Sequence, residues 1–236
     1  MTILWAASGA VAGLPAGTSL RGQVYRLSVR SGEPDQMCCR ECAAPLPRGP
    51  ALRCAHCWNW LGAPLAVELA AAAIIALIAA RFGGQPSLAA FTYLGILGLA
   101  LAQVDTAVQR LPDQLTWPAY PALIVLLVLA AAAGKDGTAL LRALLAGLAL
   151  VGGYLVLALI GRGQLGGGDV KLAGLIGLAL GWAGWGTVID GASLGFILAA
   201  LASLVLLASR RISRRTMISF GPYMLAGALL ALVAAG

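Results

Sequence analysis

The stretch Gly166-Gly167-Gly168-Asp169-Val170-Lys171 brings one carboxylate and one ammonium to the edge of a hydrophobic segment, and Asp105 closes another long apolar run. An ionisable group beside hydrocarbon is expensive to maintain, so each is a functional candidate whose partner has to be found. Few partners exist: Glu68, Asp105, Asp113, Asp136 and Asp190 are the acids within or near the rest of the apolar sequence. Asp105 and Asp169 at membrane boundaries suggest a dyad that acts on a substrate from within the bilayer, with Gly166, Gly168 and Lys171 as its loop. Two carboxylates close together in a low dielectric share a proton and titrate as a pair. The glycine run taken alone also fits a close helix crossing or a phosphate-cradling loop. The second would want Ser or Thr after the lysine, and Leu172 stands there.

A second constellation lies at 28–58, the one sizeable polar region, which holds all five cysteines. Cys39 and Cys42 form one C-x-x-C pair, and Cys54 and Cys57 form another after eleven intervening residues. Four thiolates on two tight turns suit a tetrahedral structural zinc site. Disulfides are the main alternative, disfavoured in a reducing cytoplasm, and a rubredoxin-like iron site would use similar ligands. Cys38 leaves the register open, since it also pairs with Cys42, and His56 is a substitute ligand or an exposed loop residue. With little apolar content of its own, this loop depends on metal for much of its folding energy.

These residues need a scaffold, and composition says which kind. A hydrophobic share of 60% with 11% charged residues excludes an ordinary soluble domain. Eight apolar runs, near 3–19, 60–81, 87–105, 116–134, 138–160, 171–185, 190–208 and 218–235, have lengths suited to crossing a bilayer. No strand-like alternation appears, and the backbone in lipid needs helices or a closed barrel. The expected fold is all-α: a polytopic membrane protein of about eight transmembrane helices with a small cytoplasmic zinc-binding loop domain. Its expected parts are a first helix at 1–20, the tetracysteine loop at 21–59 and a seven-helix membrane domain at 60–236.

The first segment lacks the basic start of a secretory signal and is followed by Arg21, which reads as a retained helix with its N-terminus outside. In that topology the cytoplasmic side collects Arg21, Arg26, Arg30, Arg40, Arg48, Arg53, Arg110, Arg162, Lys171, Arg210, Arg211, Arg214 and Arg215. Of 16 cations, Arg81, Lys135 and Arg142 alone fall outside, as the positive-inside rule requires. Asp105 and Asp169 then share the cytoplasmic face. The net charge of +7 is explained by topology and anionic lipid, so nucleic acid is not invoked.

Other polar residues read more plainly. Glu68, a turn inside the second helix, either pairs near the interface or lines a polar cavity. Pro112 stops a helix and Asp113 caps the next. Capping or pairing with Arg110 is the structural alternative for Asp105. Gly134-Lys135-Asp136-Gly137 is a turn by composition, and Lys171 either biases the titration of Asp169 or, preferably, holds a phospholipid headgroup.

The chain resembles the type IV prepilin peptidase family, within the G-x-G-D group of intramembrane aspartyl proteases. Asp105 followed by Leu111-Pro112-Asp113 is similar to the first catalytic aspartate and its proline motif, and Gly166 to Lys171 is similar to the second. The paired cysteines match the family's cytoplasmic zinc loop. Gly17 to Leu27, Pro64 to Leu69 and Ser219-Phe220-Gly221-Pro222 resemble three further family segments, so the likeness covers nearly the whole chain. Departures are the short spacing between the cysteine pairs, and Arg21-Gly22 where the family often has Leu-Asn.

The resemblance implies an aspartic endopeptidase of the bacterial cytoplasmic (inner) membrane with its active site facing the cytoplasm. The substrate implied is a prepilin or type II pseudopilin whose basic leader is removed at the membrane boundary. It implies hydrolysis without a covalent intermediate by Asp105 and Asp169, and zinc on Cys39, Cys42, Cys54 and Cys57. Family members commonly also methylate the new N-terminus from S-adenosylmethionine; the departures fall in the region tied to that activity. The competing expectations are a peptidase without methyltransferase activity, and a transporter or assembly scaffold that uses the acids for protons or cations.

Overall fold

The computed structural model describes residues 1–29, 33–46, 53–61, 65–161, 165–210 and 219–235. Arg30, Arg48, Pro64, Arg162, Arg211, Arg214 and Arg215 lie outside the described residues. Eight helices follow one another among those described: α1 (Thr2–Leu27), α2 (Ala66–Phe82), α3 (Leu88–Val108), α4 (Asp113–Gly134), α5 (Gly137–Ile160), α6 (Gly167–Ala183), α7 (Trp185–Ala208) and α8 (Gly221–Ala234). Outside them, two isolated bridges, Cys38 with Pro45 and Arg53 with Trp60, are the extended pairings among the described residues. The all-helical expectation holds.

Five helices, α1, α3, α4, α5 and α7, are long and apolar enough to cross a membrane. The others are shorter: α2 and α6 have 17 residues and α8 has 14.

Helix ends differ from the expected runs for local reasons. The first helix continues past the apolar stretch to Leu27, because Arg21, Gln23 and Tyr25 are acceptable in a helix and nothing breaks it. The sixth begins at Gly167, not after the glycines, so part of the run expected to be flexible loop is helical and Asp169 stands in the first turn. Pro222, in the first turn of α8, fits a helix start, where its missing N–H costs nothing.

The chain forms two compact units, Met1–Pro112 and Asp113–Gly236. In the first, α1 packs along α2, with α3 against both. Contact is close because glycines face α2: a Cβ on Gly13 would lie 2.4 Å from the Ala72 Cα, and one on Gly17 2.5 Å from the Glu68 Cα. Small residues spaced by four let two backbones approach in this way.

In the second unit α6 is the hub, touching α4, α5, α7 and α8. Every residue from Leu172 to Gly181 is buried, which is the pattern of a helix that is apolar all round. Its closest partner is α5, where a Cβ on Gly177 would meet the Ala146 carbonyl oxygen at 2.6 Å. The α7–α8 pair is sealed likewise: a Cβ on Gly227 would reach the Gly195 nitrogen at 2.4 Å. The far end of α6 is held by Arg142 of α5, whose Nε donates to the Gly181 carbonyl at 2.7 Å and whose Nη2 donates to that of Trp182 at 2.6 Å. A guanidinium there satisfies carbonyls that the helix end leaves without partners.

Candidate aspartate and four-cysteine sites

Asp169 is a buried acid on the hub helix. Its Oδ2 accepts the Gly166 N–H at 3.1 Å, and its own N–H donates to the Gly166 carbonyl at 3.0 Å. The side chain thereby folds back on its N-cap, at the helix end whose free N–H groups favour an anion. Gly166 and Gly168 are thus the N-cap and a first-turn residue of α6, not a loose loop.

The turn carrying Asp169 is fastened to α4. Tyr120 Oη donates to the Lys171 carbonyl at 2.6 Å, and Lys171 Nζ reaches Asp113 Oδ1 at 2.6 Å and stands 5.3 Å from the centre of the Trp117 ring. Gly174 makes room for this, because a Cβ there would fall 2.1 Å from the Tyr120 hydroxyl oxygen. Lys171 is therefore engaged by Asp113 and Trp117 in the structure. Asp113 is the first residue of α4; its carboxylate takes an ammonium as well as marking a helix start.

Asp105 lies in the last turn of α3, buried beside Leu101 and Val104, which are both 0% exposed. Its carbonyl accepts the N–H of Gln109, whose left-handed backbone (φ 52°) ends the helix. Asp105 belongs to the first unit and Asp169 to the second.

Glu68 has its partner in the first unit. Arg21 Nε donates to Oε1 at 2.9 Å and Nη2 to Oε2, a two-pronged ion pair with both residues buried. Of the two expected roles, pairing is the one seen. Sequence reasoning missed Arg21, which counted only as a topological charge, because the pair joins positions 47 residues apart and nothing near either residue marks it.

The four cysteines converge. The sulfurs of Cys39, Cys42, Cys54 and Cys57 all lie within 4.8 Å of one another, and all five cysteines are free thiols. Two equivalent turns produce this. In one, Cys39 N–H donates to the Ala44 carbonyl and Ala43 N–H to that of Cys39; in the other, Cys54 N–H donates to Asn59 and Trp58 N–H to Cys54. Each turn needs one left-handed residue, Ala43 (φ 57°) and Trp58 (φ 58°). Cys38 is exposed and outside the cluster, and His56 contributes its backbone N–H to the Cys54 sulfur at 3.5 Å.

The donor set fits a metal. A tetrahedral ion with sulfur bonds of about 2.3 Å would place its ligands about 3.8 Å apart; Cys39 and Cys57 stand at 3.7 Å and Cys42 and Cys54 at 3.6 Å. Backbone N–H groups of Cys57 and His56 hold the Cys54 thiol down to about 6, and those of Cys42 and Glu41 lower that of Cys39. For Cys57 the Asn59 amide pulls the same way, but burial and the sulfurs of Cys42, Cys39 and Cys54 outweigh it and push the thiol up to about 12. Part of the cluster is thus ready as thiolate, and the rest sheds its protons when a cation arrives.

The cluster is tied to the end of α1 at both turns. Tyr25 Oη accepts the Arg40 N–H at 2.8 Å, and the Arg40 guanidinium lies over the Tyr25 ring and donates to the Ser28 carbonyl at 2.7 Å. On the second turn, Trp60 has Arg53 4.2 Å from its ring centre and Arg21 at 5.7 Å.

Residues 92–210, which include both aspartates, match the type IV leader peptidase family. The chain is 34% identical over 188 residues to the prepilin leader peptidase/N-methyltransferase of Burkholderia pseudomallei strain 1026b and, equally, to that of strain K96243. Each alignment covers 74% of this chain and 56% of the relative, so the chain spans about half the length of the curated relatives it matches. No solved structure matches the chain. With half of its length in the family match, including the glycine-aspartate turn at the head of α6, this chain belongs to the type IV leader peptidase family.

Proposed function

We propose that the protein is an intramembrane aspartic endopeptidase that removes the basic leader of a prepilin or pseudopilin, with Asp105 and Asp169 as the catalytic pair. What supports this is that both acids are buried at helix ends of an apolar chain and both lie inside the segment that matches the family. Asp169 is assigned the base. Its place in the first turn of α6 and the hydrogen bond from Gly166 suit an anion that draws a proton from water. Asp105 then supplies the protonated carboxyl that hydrogen-bonds the scissile carbonyl. The resulting tetrahedral centre expels the new amine, which leaves with a proton.

In this reading all eight helices cross the inner membrane with the N-terminus outside, the shorter α2, α6 and α8 being accommodated by neighbours and by local thinning of the bilayer. The four-cysteine segment that follows α1 and both acids face the cytoplasm, and lipid contacts the outer helices. Zinc is the metal assigned to the four cysteines. Methylation from S-adenosylmethionine is the second activity, suggested by the names of the relatives.

Mass spectrometry of a prepilin incubated with the protein in lipid, with and without S-adenosylmethionine, tests both activities. Loss of the leader is expected, with one added methyl when the donor is present. Loss of the leader alone leaves a peptidase without methyltransferase activity. Asp105→Asn and Asp169→Asn are each expected to abolish cleavage; retained cleavage in both ends the dyad assignment.

A further inference from the structure

The second cysteine turn, from Arg53 to Leu61, turns two tryptophans outward: Trp58 is 70% exposed and Trp60 36%. Trp58 also stands in left-handed backbone (φ 58°), where a bulky side chain is an outlier and glycine would be free of strain. The equivalent position of the first turn holds the small Ala43. The same combination recurs at Leu65, which is 54% exposed at φ 58° and serves as the N-cap of α2, a position that ordinarily prefers a polar side chain. Large apolar groups that are both strained and bared to water cost stability twice, so the contact that offsets them lies outside the chain.

Charge and height say what that contact is. No acid lies between Arg53 and Leu61, and the Arg53 guanidinium lies over the Trp60 ring. The acids of the four-cysteine segment, Glu33, Asp35 and Glu41, all belong to the first half, whose Arg40 is turned inward onto Tyr25 and the Ser28 carbonyl. One half is therefore acidic, and the other aromatic and cationic. The aromatic half is also set low: Trp60 lies near Arg21, whose guanidinium is bound to Glu68 in the first turn of α2. With 26 residues α1 is about 39 Å long, roughly 9 Å more than a hydrocarbon core of about 30 Å. If Thr2 marks one boundary of that core, Arg21 falls at the other, where acyl chains give way to headgroups. Tryptophan favours this layer, and arginine there meets anionic lipid. A basic leader would be repelled by the same arginine.

We propose that the second cysteine turn is a membrane-docking surface, in which Trp58 and Trp60 sit in the headgroup layer at the end of α1, Arg53 meets the phosphates of anionic phospholipid, and Leu65 reaches the acyl chains where α2 enters. The partner is the bilayer itself, and the four-cysteine segment is held down on it by one half. The proposal rests on α1 crossing the membrane and is independent of cleavage, so a protein that cuts no prepilin does not bear on it.

Full-length protein carrying fluorotryptophan, in nanodiscs of phosphatidylcholine and phosphatidylglycerol, gives fluorine signals that Trp58→Phe and Trp60→Phe assign. A spin label on the lipid headgroup is expected to raise the Trp58 relaxation rate at least about threefold, and a gadolinium chelate in the water to have less than about half that effect. Arg53→Glu is expected to increase the effect of the chelate on Trp58 about fivefold, the factor that one cation near an anionic surface supplies. A Trp58 signal relaxed by the chelate alone overturns the proposal, and so does one that neither agent reaches, since protein then covers the ring. Shielding that arises only when a prepilin is added also overturns it, by giving the surface to substrate. An Arg53→Glu variant indistinguishable from wild type overturns the assignment of anionic lipid.

Discussion

Arg21 and Glu68, 47 residues apart, form a buried two-pronged ion pair that joins α1 to α2. The side chains are 1% and 5% exposed, so neither charge has water to fall back on. Breaking such a pair from one side typically costs about 3–5 kcal/mol, whereas replacing both partners by apolar residues is often close to neutral. Arg21→Met and Glu68→Leu alone should each lower the midpoint of thermal unfolding in detergent strongly, and the double variant should recover most of the loss. Additive losses in the double variant would show that the two charges act independently.

The four-cysteine cluster predicts a count. Metal analysis of purified protein should give one zinc per chain, and Cys54→Ser should abolish it, while Cys38→Ser should leave it intact because Cys38 lies outside the cluster. Chelation should expose the segment 33–61 to protease, since each sulfur-bearing turn is otherwise held by a few backbone bonds. Equal metal content in the Cys38 and Cys54 variants would reverse the assignment.

Asp136 caps α5, accepting the Ala139 N–H at 2.9 Å and the Thr138 hydroxyl at 2.8 Å. The Ala139 amide first, and the hydroxyl second, hold its carboxyl below the usual range. A lowered carboxyl contributes stability that is present above about pH 4, the ordinary aspartate range, and is lost as pH falls through the lowered value. Asp136→Ala should therefore lower Tm at pH 7, and the difference from wild type should shrink below about pH 4. A difference that is constant with pH would remove the carboxylate from the cap.

At the same end of the α5–α6 pair, the cap on the last turn of α6 is cationic. Arg142→Ala removes both charged donors from the Gly181 and Trp182 carbonyls and is expected to cost about 1–3 kcal/mol. Lysine, with a single ammonium in place of the fork, should restore only part of it. Full rescue by lysine would mean that charge alone mattered.

Lys171 offers a contrast in magnitude. Its ammonium is 2.6 Å from Asp113, but the two side chains are 31% and 61% exposed, so solvent screens the pair and its worth is on the order of 1 kcal/mol at most. Lys171→Met should change Tm little, and its cleavage rate relative to wild type should be the same in neutral and in anionic vesicles. A variant slower than wild type in anionic vesicles alone would return the side chain to a headgroup role.

What was legible in the sequence was local. Apolar runs located the helices, and C-x-x-C spacing located both turns of the cluster, because each rests on residues within a few positions of one another. The glycine run was less legible: three glycines suggest loose backbone, yet Gly167 opens a helix once α4, α5, α7 and α8 surround it. Pairings across the chain were hidden. Nothing near Arg21 points to Glu68, and Arg142 resembled one more boundary charge until the end of α6 was placed beside it.

The contacts of glycine with a neighbouring helix's backbone fall between neighbours in the chain, α1 with α2, α5 with α6 and α7 with α8. Each of these seams is complete as soon as its second helix has been synthesised. The polypeptide can therefore enter the bilayer as successive hairpins while it is still on the ribosome, and the later step of bringing those hairpins together starts from pieces whose tightest interfaces already exist.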